Sequence, residues 1–185
     1  IDAIIDDSTP HILAELSTNV RAATPRDIVL IAEQASNEVD TLHPVSEGGL
    51  GIDAVWADDF HHALRVMLTR DESPPEGYYA DYRGTVSELK RVIEEGFLYQ
   101  GEPGIASGEP RGEPVTNEPA TAFVFCLENH DQVGNRAFGE RLSHLVSPGK
   151  YAAASALLLF LPQTPLLFMG QEFAASTPFQ FFTDH

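Results

Sequence analysis

The hydrophobic and polar positions along the chain repeat at two spacings, one typical of helices and one typical of buried strands. Apolar residues recur at helical spacing in five segments, which predicts helices at 11–23, 60–68, 85–95, 136–145 and 151–161. Short apolar runs predict strands at 27–32, 54–57, 122–127 and 165–169, the first of them buried on both faces. This alternation of strands and helices is typical of an α/β fold with a parallel sheet.

Each predicted strand runs directly into polar residues at its carboxyl end. In a (β/α)₈ barrel, the functional side chains lie on the loops at these ends. A closed barrel of this kind has about 250 residues, whereas this chain has 185. We therefore predict about four βα units, roughly half of a (β/α)₈ TIM barrel. Residues 1–185 are expected to form one partial catalytic domain in an incomplete chain.

Charge narrows the range of possible partners. The chain has 28 acidic and 11 basic residues, for a net charge of -17, and a field of this sign repels phosphate backbones and anionic lipids. We therefore expect neither nucleic acid nor a membrane as a partner, whereas a neutral sugar meets no such repulsion. Residues 100–119, rich in glycine, proline and glutamate, are expected to form a surface excursion, either an active-site loop or a flexible insertion.

The single cysteine and the apolar segments of the chain bear on the cellular compartment in which it resides. Cys126 is the single cysteine, which excludes an internal disulfide or a multi-cysteine zinc site, and its apolar neighbours predict a packed core thiol. The longest apolar stretch, 152–162, is too short to span a bilayer. The first residues lack the charged and apolar segments of a signal peptide. A cytoplasmic location is expected.

Two carboxylates follow predicted strands, Glu33 after the first and Asp131 after the third, so both are expected at the same barrel mouth. Glycoside hydrolysis needs a carboxylic acid with a raised pKa and a second carboxylate across the sugar. Taken alone, a glutamate after a strand is a weak signal, and a helix cap or a solvated loop acid is its commoner explanation. The polar run 129–132 is costly to hold after an apolar strand unless its members bond each other or a ligand.

The segment Asp58-Asp-Phe-His-His62 allows three interpretations. Imidazole and carboxylate together suit zinc or iron, but the adjacent histidines are expected to point to different faces of a helix, and no further metal-spaced histidine follows. We therefore predict no metal and no cofactor. Carboxylates and imidazoles also bond sugar hydroxyls, and Trp56 and Phe60 can pack on a pyranose. Alternatively, Asp58 or Asp59 caps a helix. Neither a phosphate loop nor a Gly-x-Ser-x-Gly motif is present.

Five segments together resemble the maltooligosyltrehalose trehalohydrolases of the α-amylase superfamily. They are Ala57-Asp-Asp-Phe-His-His62, Glu76-Gly-Tyr-Tyr79, Glu128-Asn-His-Asp-Gln-Val-Gly-Asn-Arg136, Gly139-Glu-Arg-Leu142 and the run 164–182. Asn-His-Asp marks the wider superfamily, whereas Asp-Asp-Phe-His-His and Ala-Ser-Thr-Pro-Phe-Gln-Phe-Phe are much more specific to the trehalohydrolases. The resemblance covers about residues 6–185 and implies the C-terminal half of the barrel.

The resemblance also implies a retaining mechanism and a role for particular residues. Glu33 matches the catalytic acid/base, Asp131 matches the stabiliser of the transition state, and His130 would bond the sugar at the cleavage subsite. The remaining positions expected to line substrate subsites are Asp2, Asp58, Asp59, Phe60, His61, His62, Asn129, Gln132, Val133, Gly134 and Asn135. No metal ligand is implied.

Two departures from the family pattern accompany this resemblance. Gln34, Ala35 and Ser36 stand between Glu33 and Asn37, where the family usually carries charged residues. The spacing to the later Asp-Asp-Ser also places the family's nucleophilic aspartate just before Ile1, so Asp2 is expected to be a subsite neighbour. Without that nucleophile, this stretch alone is expected to be inactive.

The activity implied is cleavage of the α-1,4 bond next to a terminal trehalose, which releases trehalose and belongs to trehalose biosynthesis. The expected partners are maltooligosyltrehalose or a related α-glucan and the missing N-terminal half of the barrel. Two alternatives stay open at this stage. One is another amylase-type enzyme, such as a glucan branching enzyme, and the other is a non-catalytic barrel remnant that binds glucans.

Overall fold

Four parallel strands form the sheet on which the rest of the molecule is built. The computed structural model describes residues 4–71 and 74–181. The strands are β1 (Ile31–Ala32), β2 (Ala54–Trp56), β3 (Phe123–Cys126) and β4 (Thr164–Leu166), and they lie side by side in chain order. The register pairs Ile31 with Ala54, Val55 with Phe123, and Val124 with Thr164. The parallel sheet predicted from the sequence is confirmed, and all four carboxyl ends share one edge.

Six α-helices accompany the sheet within the described residues. They are α1 (Ile12–Ala22), α2 (Asp58–Thr69), α3 (Val86–Glu95), α4 (His130–Gly134), α5 (Leu142–Leu145) and α6 (Pro148–Phe160). Short 3₁₀ helices span Asp40–Leu42, Val45–Glu47, Gly77–Asp81, Ala120–Ala122 and Gln171–Phe173. The four longer helices lie where apolar spacing predicted them, because that spacing turns one face of each helix toward the core.

The helix predicted at 136–145 is wrong in its extent. The structure has α4 before this segment and only the short α5 at its end. Gly139 separates the two, with a φ of 65° that no right-handed helix contains. A Cβ at this position would also lie 2.1 Å from the carbonyl oxygen of Phe179, so the close approach of two backbone segments requires glycine here.

The hydrophobic core lies between the sheet and the helices α2 and α3. Phe60 of α2 stacks on Phe125 of β3, with ring centroids 4.4 Å apart and nearly parallel planes. Phe97 packs edge-on against Phe123 at 5.1 Å, and Val55 of the central strand β2 is fully buried. Cys126 is buried in the same layer, as the sequence predicted, and burial raises the pKa of its thiol. This core packs against β2 and β3, and both strands lead into polar loops.

The prediction that the first strand is buried on both faces is wrong, and apolar side chains are exposed near both edges of the sheet. Strand pairing begins only at Ile31, and the side chains of Val29 and Ile31 are exposed. On the β4 side, Leu167 and Met169, just past the end of the strand, are exposed as well. The physical reason is that β1 and β4 are edge strands among the described residues, so no neighbouring strand covers their outer sides. Apolar side chains at both open edges fit a barrel in which further strands flank this sheet.

The excursion at 100–119 is anchored to the body of the domain. It contains an isolated antiparallel bridge between Pro103 and Pro110 and no longer regular element. The carboxylate of Glu113 accepts hydrogen bonds from the backbone N–H groups of Val39 and Asp40, at 2.7 and 3.1 Å. These bonds tie the excursion to the loop that follows β1. None of the helices in the described part of the chain is long and apolar enough to cross a membrane.

A second anchor joins the excursion to the buried carboxylate of Asp59. This side chain is only 1% exposed, yet it collects five hydrogen-bond donors. The donors are the side chains of Asn37, Tyr82 and Arg111 and the backbone N–H groups of Leu98 and Tyr99. Asp59 therefore joins the loop after β1, helix α2, the segment after α3 and the excursion at one point.

Replacing Asp59 with alanine should destabilise the full-length protein by about 3–5 kcal/mol, because Arg111 would then be left as a partly buried charge without its partner. The measurement is the free energy of unfolding in urea. The matched control is Asp27→Ala, at an exposed carboxylate, which should change stability by less than about 0.5 kcal/mol. Equal losses of stability in the two variants would show that Asp59 does not hold these segments together.

Candidate active site

Glu33, His130 and Asp131 meet above the carboxyl ends of the strands. Glu33 follows β1 directly, and His130 and Asp131 open α4 after β3. The Nε2 atom of His130 lies 3.6 Å from Oε1 of Glu33 and 3.4 Å from Oδ1 of Asp131. One polar atom from each of the three side chains lies within 4.8 Å of the other two. The two acids therefore converge, which is the arrangement that the sequence predicted for a pair flanking one sugar ring.

This acidic group is accessible from outside. The side chains of Glu33 and Asp131 are each 47% exposed, and that of His130 is 34% exposed. Two aromatic rings lie near the imidazole, both edge-on, with centroid distances of 6.0 Å for Trp56 and 5.3 Å for Phe181. An open, polar group bordered by aromatic rings is suited to a ligand that has both hydroxyls and apolar faces.

A capping box fixes the start of α4, and with it the positions of His130 and Asp131. The side-chain oxygen of Asn129 accepts from the N–H of Asp131 at 2.8 Å, and the side chain of Gln132 accepts from the N–H of Asn129 at 3.0 Å. Both amide side chains are buried. The structure thus gives Asn129 and Gln132 a positioning role, while their contact with substrate stays a prediction.

The other residues expected to line subsites near α4 lie in different surroundings. Val133 is buried, whereas Asn135 is exposed just past the end of the helix. Gly134 lies close against the side chain of Phe181, where a Cβ would come within 2.5 Å of a ring carbon. Asp2 lies outside the described residues. The sequence did not single out Phe181, because no local pattern connects it with His130, 51 residues earlier in the chain.

Glu33 has the electrostatic character of a general acid. Partial burial raises the pKa of its carboxyl group, and the nearby charges of Asp131 and Asp58 raise the pKa further. His130 acts in the opposite direction and lowers the pKa. A raised pKa keeps a larger fraction of Glu33 protonated near neutral pH, which a carboxylic acid must be if it is to donate a proton.

The uncharged residues after Glu33 supply their own hydrogen bonds. The side chain of Gln34 donates to the carbonyl of Glu38 at 3.0 Å and accepts from the N–H of Glu38 and from the hydroxyl of Ser36, both at 3.3 Å. Asn37 has a φ of 61° and donates to Asp59 at 2.8 Å. The loop that carries Glu33 is therefore held by amide groups where the trehalohydrolase pattern usually has charges.

The segment 58–62 divides into two sets of side chains. Asp59 is the buried carboxylate described above. The ring of Phe60 lies fully in the core, so the geometry gives no support to the predicted packing of this ring on a sugar. Asp58, His61 and His62 instead face one another across one side of α2. The sequence interpretation that the two histidines point to different faces is wrong, because their ring centroids are only 4.0 Å apart.

Comparison with known proteins identifies close relatives of this chain. It is 47% identical over 184 residues to the malto-oligosyltrehalose trehalohydrolase of Deinococcus radiodurans, a match that covers 97% of this chain and 29% of the relative. It is 37% identical over 184 residues to the enzyme of that name from Saccharolobus solfataricus, covering 100% of this chain and 32% of the relative. The predicted family resemblance is confirmed. The chain is similar to these trehalohydrolases along its whole length and spans about a third of theirs.

The structural comparison leads to the same fold. A crystal structure of a candidate alpha amylase from Salmonella typhimurium shares 43% sequence identity with this chain, and the two superpose with a TM-score of 0.88. The match covers all of this chain and 32% of that one. The four-stranded sheet is therefore part of an amylase-type (β/α)₈ barrel, as expected from the sequence. No protein-family model matches the chain.

The charges around Glu33 predict opposite effects of two substitutions. Asp131→Asn removes a like charge and should lower the pKa of Glu33, whereas His130→Gln removes the group that lowers it and should raise the pKa. The measurement is a ¹³C NMR titration of the Glu33 carboxyl carbon in the full-length trehalohydrolase-like protein. Shifts of the same sign in both variants would contradict the electrostatic coupling within this group.

Proposed function

We propose that the full-length protein is a retaining glycoside hydrolase in which Glu33 is the acid/base and Asp131 stabilises the transition state. The observation that carries the proposal is the convergence of the two carboxylates on His130, within 4.8 Å of one another at an open barrel mouth. The names of the relatives support hydrolysis of a sugar bond, and so does the likeness to an amylase-type fold. The nucleophile is a carboxylate that precedes Ile1.

The geometry fits a two-step reaction. In the first step the protonated Glu33 donates its proton to the glycosidic oxygen as the bond to the anomeric carbon breaks, while the nucleophile attacks that carbon. In the second step Glu33, now ionised, takes a proton from water, which displaces the sugar from the nucleophile. Positive charge develops on the ring in both steps. The carboxylate of Asp131 stabilises it, and the imidazole of His130 holds a ring hydroxyl.

The proposed substrate is a maltooligosaccharide that ends in trehalose, cut at the α-1,4 bond next to the trehalose unit. This proposal rests on the similarity to proteins named malto-oligosyltrehalose trehalohydrolase. It agrees with the aromatic border formed by the half-buried Trp56 and the exposed Phe181, and with a negative net charge that does not disfavour a neutral sugar. Because the nucleophile comes from outside residues 1–185, we propose that this stretch alone does not turn over substrate.

Replacing Glu33 with glutamine in the full-length protein should lower kcat on maltooligosyltrehalose by about 10²–10⁴-fold, the usual contribution of general acid–base catalysis. A glycoside with an acidic phenol as leaving group is a useful second substrate, because the phenol departs as a stable phenolate without being protonated. The substitution should therefore slow the first, glycosylation step on this substrate far less. The measurements are steady-state release of trehalose and the pre-steady-state burst of phenol. Glu38→Gln is the control, since it makes the same chemical change at an exposed position nearby and should leave kcat unchanged.

The outcomes separate the competing functions. Full trehalose release by Glu33→Gln would remove Glu33 from the mechanism. Equal cleavage of trehalose-capped and uncapped maltooligosaccharides, or transfer of glucan in place of hydrolysis, would indicate another amylase-type enzyme. Binding of maltooligosaccharides by the full-length protein without any turnover would indicate a non-catalytic glucan-binding barrel.

A further inference from the structure

A second group of potential ligands lies on helix α2, apart from the acidic group. Asp58, His61 and His62 occupy positions i, i+3 and i+4 of one helix, so all three side chains extend from the same face. One nitrogen or oxygen from each lies within 4.8 Å of the others, and Nε2 of His61 is 3.5 Å from Oδ1 of Asp58. Two imidazoles and one carboxylate are thereby gathered at one point.

Within the described part of the chain, four polar atoms of this group are buried without a hydrogen-bond partner. They are Oδ1 of Asp58, both ring nitrogens of His61 and Nε2 of His62. His61 is only 1% exposed. Each buried polar atom without a partner costs about 1–3 kcal/mol. Oδ1 of Asp58 and Nε2 of His61 lie 3.5 Å apart without a hydrogen bond, so a ligand shared by these atoms and Nε2 of His62 would satisfy them.

The hydrogen bonds behind His62 fix which of its nitrogens faces the group. The hydroxyl of Tyr82 donates to Asp59 at 2.5 Å, so it can only accept from Nδ1–H of His62, 3.1 Å away. Nε2 of His62 is therefore an unprotonated lone-pair donor. The arrangement of carboxylate, hydroxyl and imidazole is the support that metal-binding histidines commonly have.

The chemistry of these side chains suits a cation. The lone pair of His62 Nε2 lies beside the carboxylate of Asp58, and Nε2 of His61 lies 3.5 Å from Oδ1 of that carboxylate. The side chain of Asp58 is 23% exposed and gives an ion a path to the buried histidines.

We propose that Asp58, His61 and His62 bind one divalent transition-metal ion of the zinc class. Two imidazoles and a carboxylate are a ligand set that such ions prefer, and three protein ligands leave a coordination position for water or a sugar hydroxyl. This site replaces the expectation, drawn from sequence spacing, that the segment binds no metal. It does not depend on the proposed hydrolase activity. The acidic group with His130 is a weaker candidate because its side chains are more exposed.

The test is titration of metal-free, full-length protein with Co²⁺ as a spectroscopic probe and with Zn²⁺ by calorimetry. We expect one ion per chain, with the visible absorption of a cobalt ion that has imidazole ligands. Affinity should fall at least about 10-fold in Asp58→Asn and at least about 100-fold in His62→Ala, since even outer partners of metal ligands contribute 10–100-fold. His130→Ala should bind the ion as wild type does.

Asp58→Asn keeps the shape of a partly exposed side chain, so it tests the site even if loss of a buried histidine prevents folding. Near-UV circular dichroism confirms that each variant is folded. Absence of stoichiometric uptake by wild type would overturn the proposal, as would unchanged affinity in Asp58→Asn and His62→Ala. Loss of uptake in His130→Ala alone would place the ion at the acidic group and overturn it too. Metal uptake is measured without substrate, so it separates this proposal from the hydrolase proposal.

Discussion

The buried carboxylate of Asp59 is the contact on which the rest of the site depends. It fixes Asn37, four residues after Glu33, and so sets the path of the loop that carries the acid. It accepts from Tyr82, whose hydroxyl orients His62, and it holds Arg111, which brings the excursion back onto the domain. A buried carboxylate is costly unless its oxygens are fully bonded, and five donors meet that condition. The loop that carries Glu33 and the histidine pair are therefore positioned by the same side chain.

Much of the fold could be predicted from the sequence because its signals are local. The apolar runs around Val55 and Phe125 predict strands that core packing then confirms, and helical spacing predicts α2, α3 and α6. The convergence of Glu33 and Asp131 also follows from the sequence, since residues that end parallel strands meet at one edge of the sheet. Such predictions depend on periodicity and topology, and both can be read without coordinates.

The remaining features depend on contacts between distant residues. Nothing in Asp58-Asp59 shows that the first carboxylate faces a pair of histidines and the second is buried beneath Arg111, 52 residues away. The split of the helix expected at 136–145 depends on how closely Phe179 approaches Gly139. The partial exposure of β1 depends on what lies beside it in space. No periodic pattern in the sequence indicates any of these features.

Asp58 belongs electrostatically to both groups of side chains, because it raises the pKa of Glu33 while it lies beside His61. An ion held by Asp58 and the two histidines would cancel that negative charge. It would thereby lower the pKa of Glu33 and reduce the fraction of the acid that carries a proton. The acidic group around Glu33 and the group on helix α2 thus bind different ligands, but a change of charge in the second group shifts the pKa of Glu33. The charge of Asp58 is one contribution to the pKa of the proposed acid, after burial, His130 and Asp131.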